Sequence, residues 1–233
     1  MSRPASILAC GLALLALAGC VPEPRRAEPP SEPLEKDNPA AKDPQLRMDL
    51  IREVINKGQY YAALAHIEEQ KAAYGDSAEV RLLEADVRRH LGQKAAAEAL
   101  YRPLLAGPQA GQAYHGMGLL YAASDRDLAI RYLQSAARRL PTDVEVRNDL
   151  GYALMESGRY TEAMPQLSTA AELAPGEAKS RNNLIILMLL MGNEAAASRL
   201  AQQAGAGPEK VQKLRQEAQD IRHRQAVKTG AAG

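Results

Sequence analysis

At 233 residues the chain is long enough for one ordinary globular domain or one short solenoid, and its composition, rich in Leu and Ala with no Phe or Trp and 9 Tyr, is that of a helix former. Lys and Arg number 29 against 28 Asp and Glu, so no overall field gathers nucleic acid or selects an acidic substrate.

Residues 1–19 read as an export signal, with a positive start at Arg3, an apolar stretch from Ile7 to Ala18 and small residues ahead of Cys20. An apolar run of about a dozen residues is short for a bilayer span. Leu17-Ala18-Gly19-Cys20 resembles the bacterial lipobox, which implies diacylglyceryl transfer to the Cys20 thiol, cleavage before it and acylation of the new amino terminus. The alternative is a plain secretory signal with an incidental cysteine. Cleavage removes Arg3 and Cys10, leaving a chain of balanced charge with one modified cysteine, hence no disulfide and no Cys-based metal site. Two or more acyl chains anchor stably, because each buried methylene contributes about 0.8 kcal/mol. In the Gram-negative lipoproteins that this start resembles, Asp after the lipidated cysteine favours inner-membrane retention; Val21 stands there instead, which implies the periplasmic face of the outer membrane.

Residues 20–43 hold the lipidated cysteine and a tether, with Pro22, Pro24, Pro29, Pro30, Pro33 and Pro39 among charged residues and little to bury. Fully polyproline-like, the tether reaches about 70 Å at ~3.1 Å per residue. From Pro44 to residue 207 helical periodicity takes over, and Gly-x-x-x-x-Ala recurs at Gly58/Ala63, Gly92/Ala97, Gly158/Ala163 and Gly192/Ala197, with Asp125 and Ala129 in a fifth slot. The alanines lie 34, 32, 34 and 34 residues apart, the period of a stacked helical repeat in which each unit buries its neighbour's apolar face. The spacing predicts antiparallel helix pairs near 44–77, 78–110, 111–143, 144–177 and 178–207. Glycine ends each first helix in the left-handed conformation, and the alanine lets the returning helix approach closely. Pro141 and Pro175 stop second helices, with Pro108 one position off that register; Pro103 and Pro165 fall inside predicted helices and are expected to remove a hydrogen bond and bend the backbone. Residues 208–233 are expected to form a capping helix from Glu209 to about Val227, with Val211, Leu214, Ala218 and Ile221 at helical spacing, and a frayed tail.

The units resemble tetratricopeptide repeats. In Val144–Glu177 the residues Leu150, Gly151, Leu154, Gly158, Tyr160, Ala163, Leu167, Ala170 and Pro175 fall in order on the family's signature positions; the unit before supplies Met117, Gly118, Tyr121, Ala129, Leu133, Ala136 and Pro141. The outer copies are degenerate, with Ile51 and Ile185 in the small-residue place and Gln70 replacing a late alanine, as terminal solenoid units commonly are. The resemblance implies an all-α, right-handed α-solenoid of about five repeats plus a C-terminal capping helix. It also implies a concave face lined by first helices, with Met48, Leu82, Leu119, Tyr152, Met155, Ile186, Leu189 and Leu190 as the partner groove. An apolar groove of Met and Leu suits an amphipathic helix with anchors at i, i+3, i+4 and i+7. For the 186–190 patch, within a segment apolar all round, the competing expectation is burial beneath the helix beginning at Glu209. Asn148 and Asn182 invite comparison with the clamp by which some relatives hold a terminal carboxylate, but Glu79, Asp86, Glu145 and Glu156 stand where that clamp needs cations.

Catalytic chemistry is not indicated. His66, His90, His115 and His223 are scattered without a ligand set, and His115-Gly116-Met117-Gly118 lies inside a predicted helix, where close packing explains the glycines better than phosphate binding. No serine sits in a nucleophile elbow, and Glu68 and Glu69 face different ways. The expectation is a non-enzyme with no cofactor, no metal, no nucleic acid and no small-molecule substrate. A lipidated start, a Pro-rich tether and five such repeats together resemble the TadD-type lipoproteins of the Flp/Tad pilus and, more distantly, pilotins of type IV pili. This resemblance implies a scaffold that binds a helical segment of a secretin subunit and assists its outer-membrane targeting and assembly. The alternatives are a lipid-anchored adaptor for an envelope protease or peptidoglycan-remodelling enzyme, or a component of a barrel-insertion or polysaccharide-export machine.

Overall fold

The computed structural model describes residues 43–230, apart from the side chains of residues 228 and 229. The export signal, Cys20 and all but the last residue of the tether lie outside the described residues. Five helical hairpins follow one another: α1 (Pro44–Asn56) with α2 (Tyr60–Tyr74), α3 (Ala78–His90) with α4 (Lys94–Tyr101), α5 (Ala110–Tyr121) with α6 (Arg126–Arg139), α7 (Val144–Glu156) with α8 (Tyr160–Leu173), and α9 (Ala178–Leu190) with α10 (Glu194–Gln203). A longer helix, α11 (Pro208–Gly230), closes the series and runs past the expected end at Val227. From α1 to α10 each helix packs on the next, and α11 folds back onto α9, which makes the described residues an all-helical solenoid.

Local chemistry sets the boundaries. Asp43, Ser77, Asp125, Asp143 and Asn193 each accept a backbone N–H of the first helical turn through a side-chain oxygen. At the turn between paired helices Gly58, Gly92, Gly158 and Gly192 all have φ of 72–74°. In each, the next residue's N–H reaches back to the fifth carbonyl before it, as in Gln59 to Val54 and Arg159 to Leu154, satisfying the orphan helix-end acceptors. The third hairpin lacks this glycine; there Ser124 and Asp125 donate to the Tyr121 carbonyl and Asp125 caps α6.

The periodic alanines mark the hairpin seams. Ala63, Ala97, Ala129, Ala163 and Ala197 are all buried, and the facing place on the first helix must be equally lean: a Cβ on Gly151 would lie 2.6 Å from Cγ of Leu167. Ile51 and Ile185 nevertheless fill that slot in the outer repeats and are buried there, while Gln70 is buried where other units carry alanine. The expected disturbances at proline differ between the two sites. At Pro103 the α-helix stops, and residues Arg102–Ala106 continue as a 3-10 helix; Pro165 sits within α8, which runs through it.

Candidate partner-binding site

The first helices of successive hairpins pack on one another, α1 on α3, α3 on α5 and α7 on α9, so side chains at matching repeat positions share a face. Its middle is a polar ladder. His115 Nε2 lies 2.9 Å from Asp149 Oδ2, bridging α5 to α7, and Lys179 Nζ of α9 donates to Asp149 Oδ1 at 3.0 Å. Burial pushes the Asp149 carboxyl up, but the His115 hydrogen bond and the Lys179 charge outweigh it and hold that carboxyl below the ordinary carboxylate range. Asn148 is buried, accepts from Asn183 at 2.8 Å and donates to Asp149 at 3.2 Å. It is committed to α7–α9 packing and not presented to a carboxylate ligand.

Beyond the ladder the face turns apolar, and α11 lies across it. Leu214, Ala218 and Ile221 enter the same core as Met155 and residues Leu184–Leu190 of α9. The far end of α11 is held by polar bonds to helix ends. Arg222 donates to the Leu189 carbonyl at 2.5 Å, and Gln225 donates to the Met155 carbonyl at 2.9 Å while accepting from the Tyr160 hydroxyl at 2.7 Å. The Arg222 cation is well placed at the negative end of α9, while at the end of α7 the donor is the neutral Gln225 amide. Glu156 is the hub of this contact: with only 8% of its side chain exposed, it pairs with Arg126 at 2.9 Å and with Arg224, and it accepts from the Tyr152 hydroxyl at 3.3 Å. Burial, then the Glu156 and Glu217 carboxylates, push the Tyr152 phenol up, so it stays a neutral donor.

The eight predicted groove residues therefore divide. Met155, Ile186, Leu189 and Leu190 are buried, which corrects the open-groove expectation for them: the chain's own α11 supplies the second cover of an apolar helix. Met48 is also buried, in the first hairpin's core with Ile51 and Val54. Leu82, Leu119 and Tyr152 remain half-buried, and Tyr152 opens onto a cleft of about 610 Å³ between Glu156 and the Lys213, Gln216, Glu217 and Asp220 side chains of α11. Sequence reasoning missed Glu156 as a hub and the Asn148–Asn183 pair, because their partners lie 30 to 68 residues away in sequence with no local spacing to reveal them.

Chemically the site is a greasy bed with a rim of both charges, suited to holding a helix by shape and helix-end hydrogen bonds. Among the described residues no group of three His, Cys, Asp or Glu is placed to hold a metal ion. His90 is engaged in stacking on Tyr60, with ring centroids 4.7 Å apart. No described helix is long and apolar enough to cross a membrane.

Residues 120–175 match the tetratricopeptide repeat family. A TPR repeat-containing protein of Pseudomonas aeruginosa is 33% identical over 222 residues, covering 95% of this chain and 83% of its own. Among solved structures, a thermophilic TPR protein of Thermus thermophilus superposes with a TM-score of 0.59 at 22% identity, covering 77% of this chain and 98% of that one. MamA of Desulfovibrio magneticus, residues 41 to the end, does so with a TM-score of 0.55 at 18% identity, covering 75% and 96%; at these identities the likeness is one of fold. Regular hairpins, buried periodic alanines and similarity along nearly the whole chain make this chain a member of the tetratricopeptide-repeat proteins, a family of protein-interaction scaffolds.

Proposed function

We propose that this protein is an outer-membrane lipoprotein scaffold of the TadD type, which holds a helical segment of a secretin subunit and assists its targeting and assembly in Flp/Tad pilus biogenesis. The observation that carries the reading is the apolar bed on α7 and α9, wide enough to seat one amphipathic helix, as α11 demonstrates. Three further features support it. The lipobox-like Leu17-Ala18-Gly19-Cys20 supplies an anchor, the Pro-rich stretch to residue 43 supplies reach, and similarity to the Pseudomonas protein extends well beyond the repeats. The work asked of the protein is binding and delivery, with no catalytic group, metal or cofactor involved.

The test is Cys20→Ser in cells that assemble the pilus. The expected result is loss of the protein from the outer membrane together with fewer secretin multimers there. Mislocalised protein with undiminished multimers sinks the proposal. Normal secretin assembly with accumulation of an envelope enzyme's substrate would transfer the role to the adaptor reading.

A further inference from the structure

We infer that α11 is an internal stand-in for the partner's helix, and that the partner docks by displacing it from α7 and α9. The inference rests on the scaffold reading above and specifies its ligand. Among the described side chains of α11, Leu214, Ala218 and Ile221 are the ones that are buried, with Val211 half-buried one turn earlier. Such a narrow stripe, on a helix otherwise polar and solvated, makes a weak hold relative to helices packed on two sides. The rest of the hold is polar: Arg215 pairs with Glu194 of α10 at 2.8 Å in a half-exposed contact of little strength, and Arg222, Arg224 and Gln225 bond at the far end.

The other end is a hinge. Residues 204–207 read Ala-Gly-Ala-Gly, with Gly205 at φ 63°, and Pro208 starts α11. Two glycines in four residues let α11 swing out while α10 stays capped by its own bonds from Gly205 to Gln202 and from Ala206 to Ala201. Departure of α11 uncovers Ile186, Leu189, Leu190 and Met155, a surface that a soluble scaffold does not leave bare without something to cover it.

The fit of α11 is also incomplete. The cleft of about 610 Å³ lies beside Tyr152 and Glu156, beneath the Gln216 and Asp220 side of α11, which form a hydrogen bond with each other at 3.0 Å. A better occupant keeps apolar anchors at the spacing of Val211, Leu214, Ala218 and Ile221, keeps Arg and an amide just after the last anchor to bond the ends of α9 and α7, and spans the cleft at Gln216, lined by Arg126, Tyr152, Glu156 and Arg224, with polar side chains. The partner is therefore an amphipathic helix of that pattern, and its apparent affinity is reduced by the small fraction of molecules in which α11 is open.

The experiment uses the full chain in mild detergent and a fluorescent synthetic peptide of residues 208–230. Arg224→Glu sets like charge against Glu156 and opens α11. The peptide is expected to bind Arg224→Glu about tenfold more tightly than the wild type, because more molecules present the bed. A peptide carrying Leu214→Glu and Ile221→Glu should bind neither protein. Equal affinity for both proteins, no binding to Arg224→Glu, or an Arg224→Glu dimer that swaps α11 between copies overturns the inference. Hydrogen exchange of the wild type gives an independent check: α11 amides should exchange as a unit faster than those of α9, and joint exchange of the two overturns it. A secretin that binds without displacing the peptide also overturns it while leaving the pilus role intact; peptide binding as expected with no secretin partner in cells supports the inference and removes that role.

Discussion

Gly116→Ala sets two opposed effects against each other at one atom. Gly116 lies in the middle of α5, where alanine would raise helix propensity by about 1 kcal/mol. An added Cβ, however, would lie 2.4 Å from Cε1 and Cζ of the Tyr101 ring and 2.5 Å from its oxygen. That ring has no room to yield. It is fully buried, and its hydroxyl donates to Asp86 at 2.5 Å and accepts from Arg89 at 3.4 Å. Overpacking of this kind costs about 1–3 kcal/mol, and loosening a hydrogen bond to a charged group costs roughly 1.5–3 kcal/mol more. The net expectation is destabilisation by about 1.5–5 kcal/mol, which for a chain of this size lowers Tm by roughly 3–20 °C. Urea unfolding followed by far-UV circular dichroism measures it. Pairing Gly116→Ala with Tyr101→Leu should recover about 1–2 kcal/mol relative to the sum of the single changes, since the two sites share one contact. A Gly116→Ala variant as stable as the wild type, or more so, refutes the packing argument.

Removing the anchor of α11 should have a local effect. Ile221→Ala deletes a fully buried side chain, a loss of about 2–4 kcal/mol, and is expected to raise dye binding to the uncovered α9 surface while far-UV melting of the repeats changes little; a drop in the melting of all repeats together would contradict this. Gly192→Ala and Gly176→Ala should differ although neither Cβ would meet an atom within 4 Å. Gly192 has φ 74°, so alanine there costs about 1–2 kcal/mol, whereas Gly176, outside the left-handed region, is expected to be neutral or slightly stabilised in denaturant titrations. Acid should weaken the fold through Asp149 and Glu84. Burial pushes the Glu84 carboxyl up too, but bonds from Lys71 and Arg88 outweigh it, so both groups titrate lower folded than unfolded. Their contribution is present above the unfolded carboxylate range, near pH 4, and is lost as pH falls through the lower folded values. Asp149→Asn is expected to be less stable at neutral pH and to show a shallower loss in acid; an unchanged acid slope would count against Asp149 as a contributor.

Repetition is why so much of the scaffold was legible in the residues. Ala63, Ala97, Ala129, Ala163 and Ala197 recur because every hairpin meets the same constraint at its seam, and the turn glycines recur because four of the five first helices end in the same left-handed step. Such constraints act within about 34 residues and leave a periodic trace. The turn at Asp125 departs from the period because a capping carboxylate replaces the glycine there.

Sequence by itself determined the helical hairpins, their number, the stripe of Val211, Leu214, Ala218 and Ile221, and the apolar character of Ile186, Leu189 and Leu190. Only the tertiary structure decided that this stripe covers those residues, and that Glu156 joins Arg126 and Arg224 across 30 and 68 residues. The physical reason is that burial is non-directional: an apolar helix face looks the same in sequence whether its cover is a partner or the chain's own end, and the choice rests on where the hinge after α10 lets α11 reach.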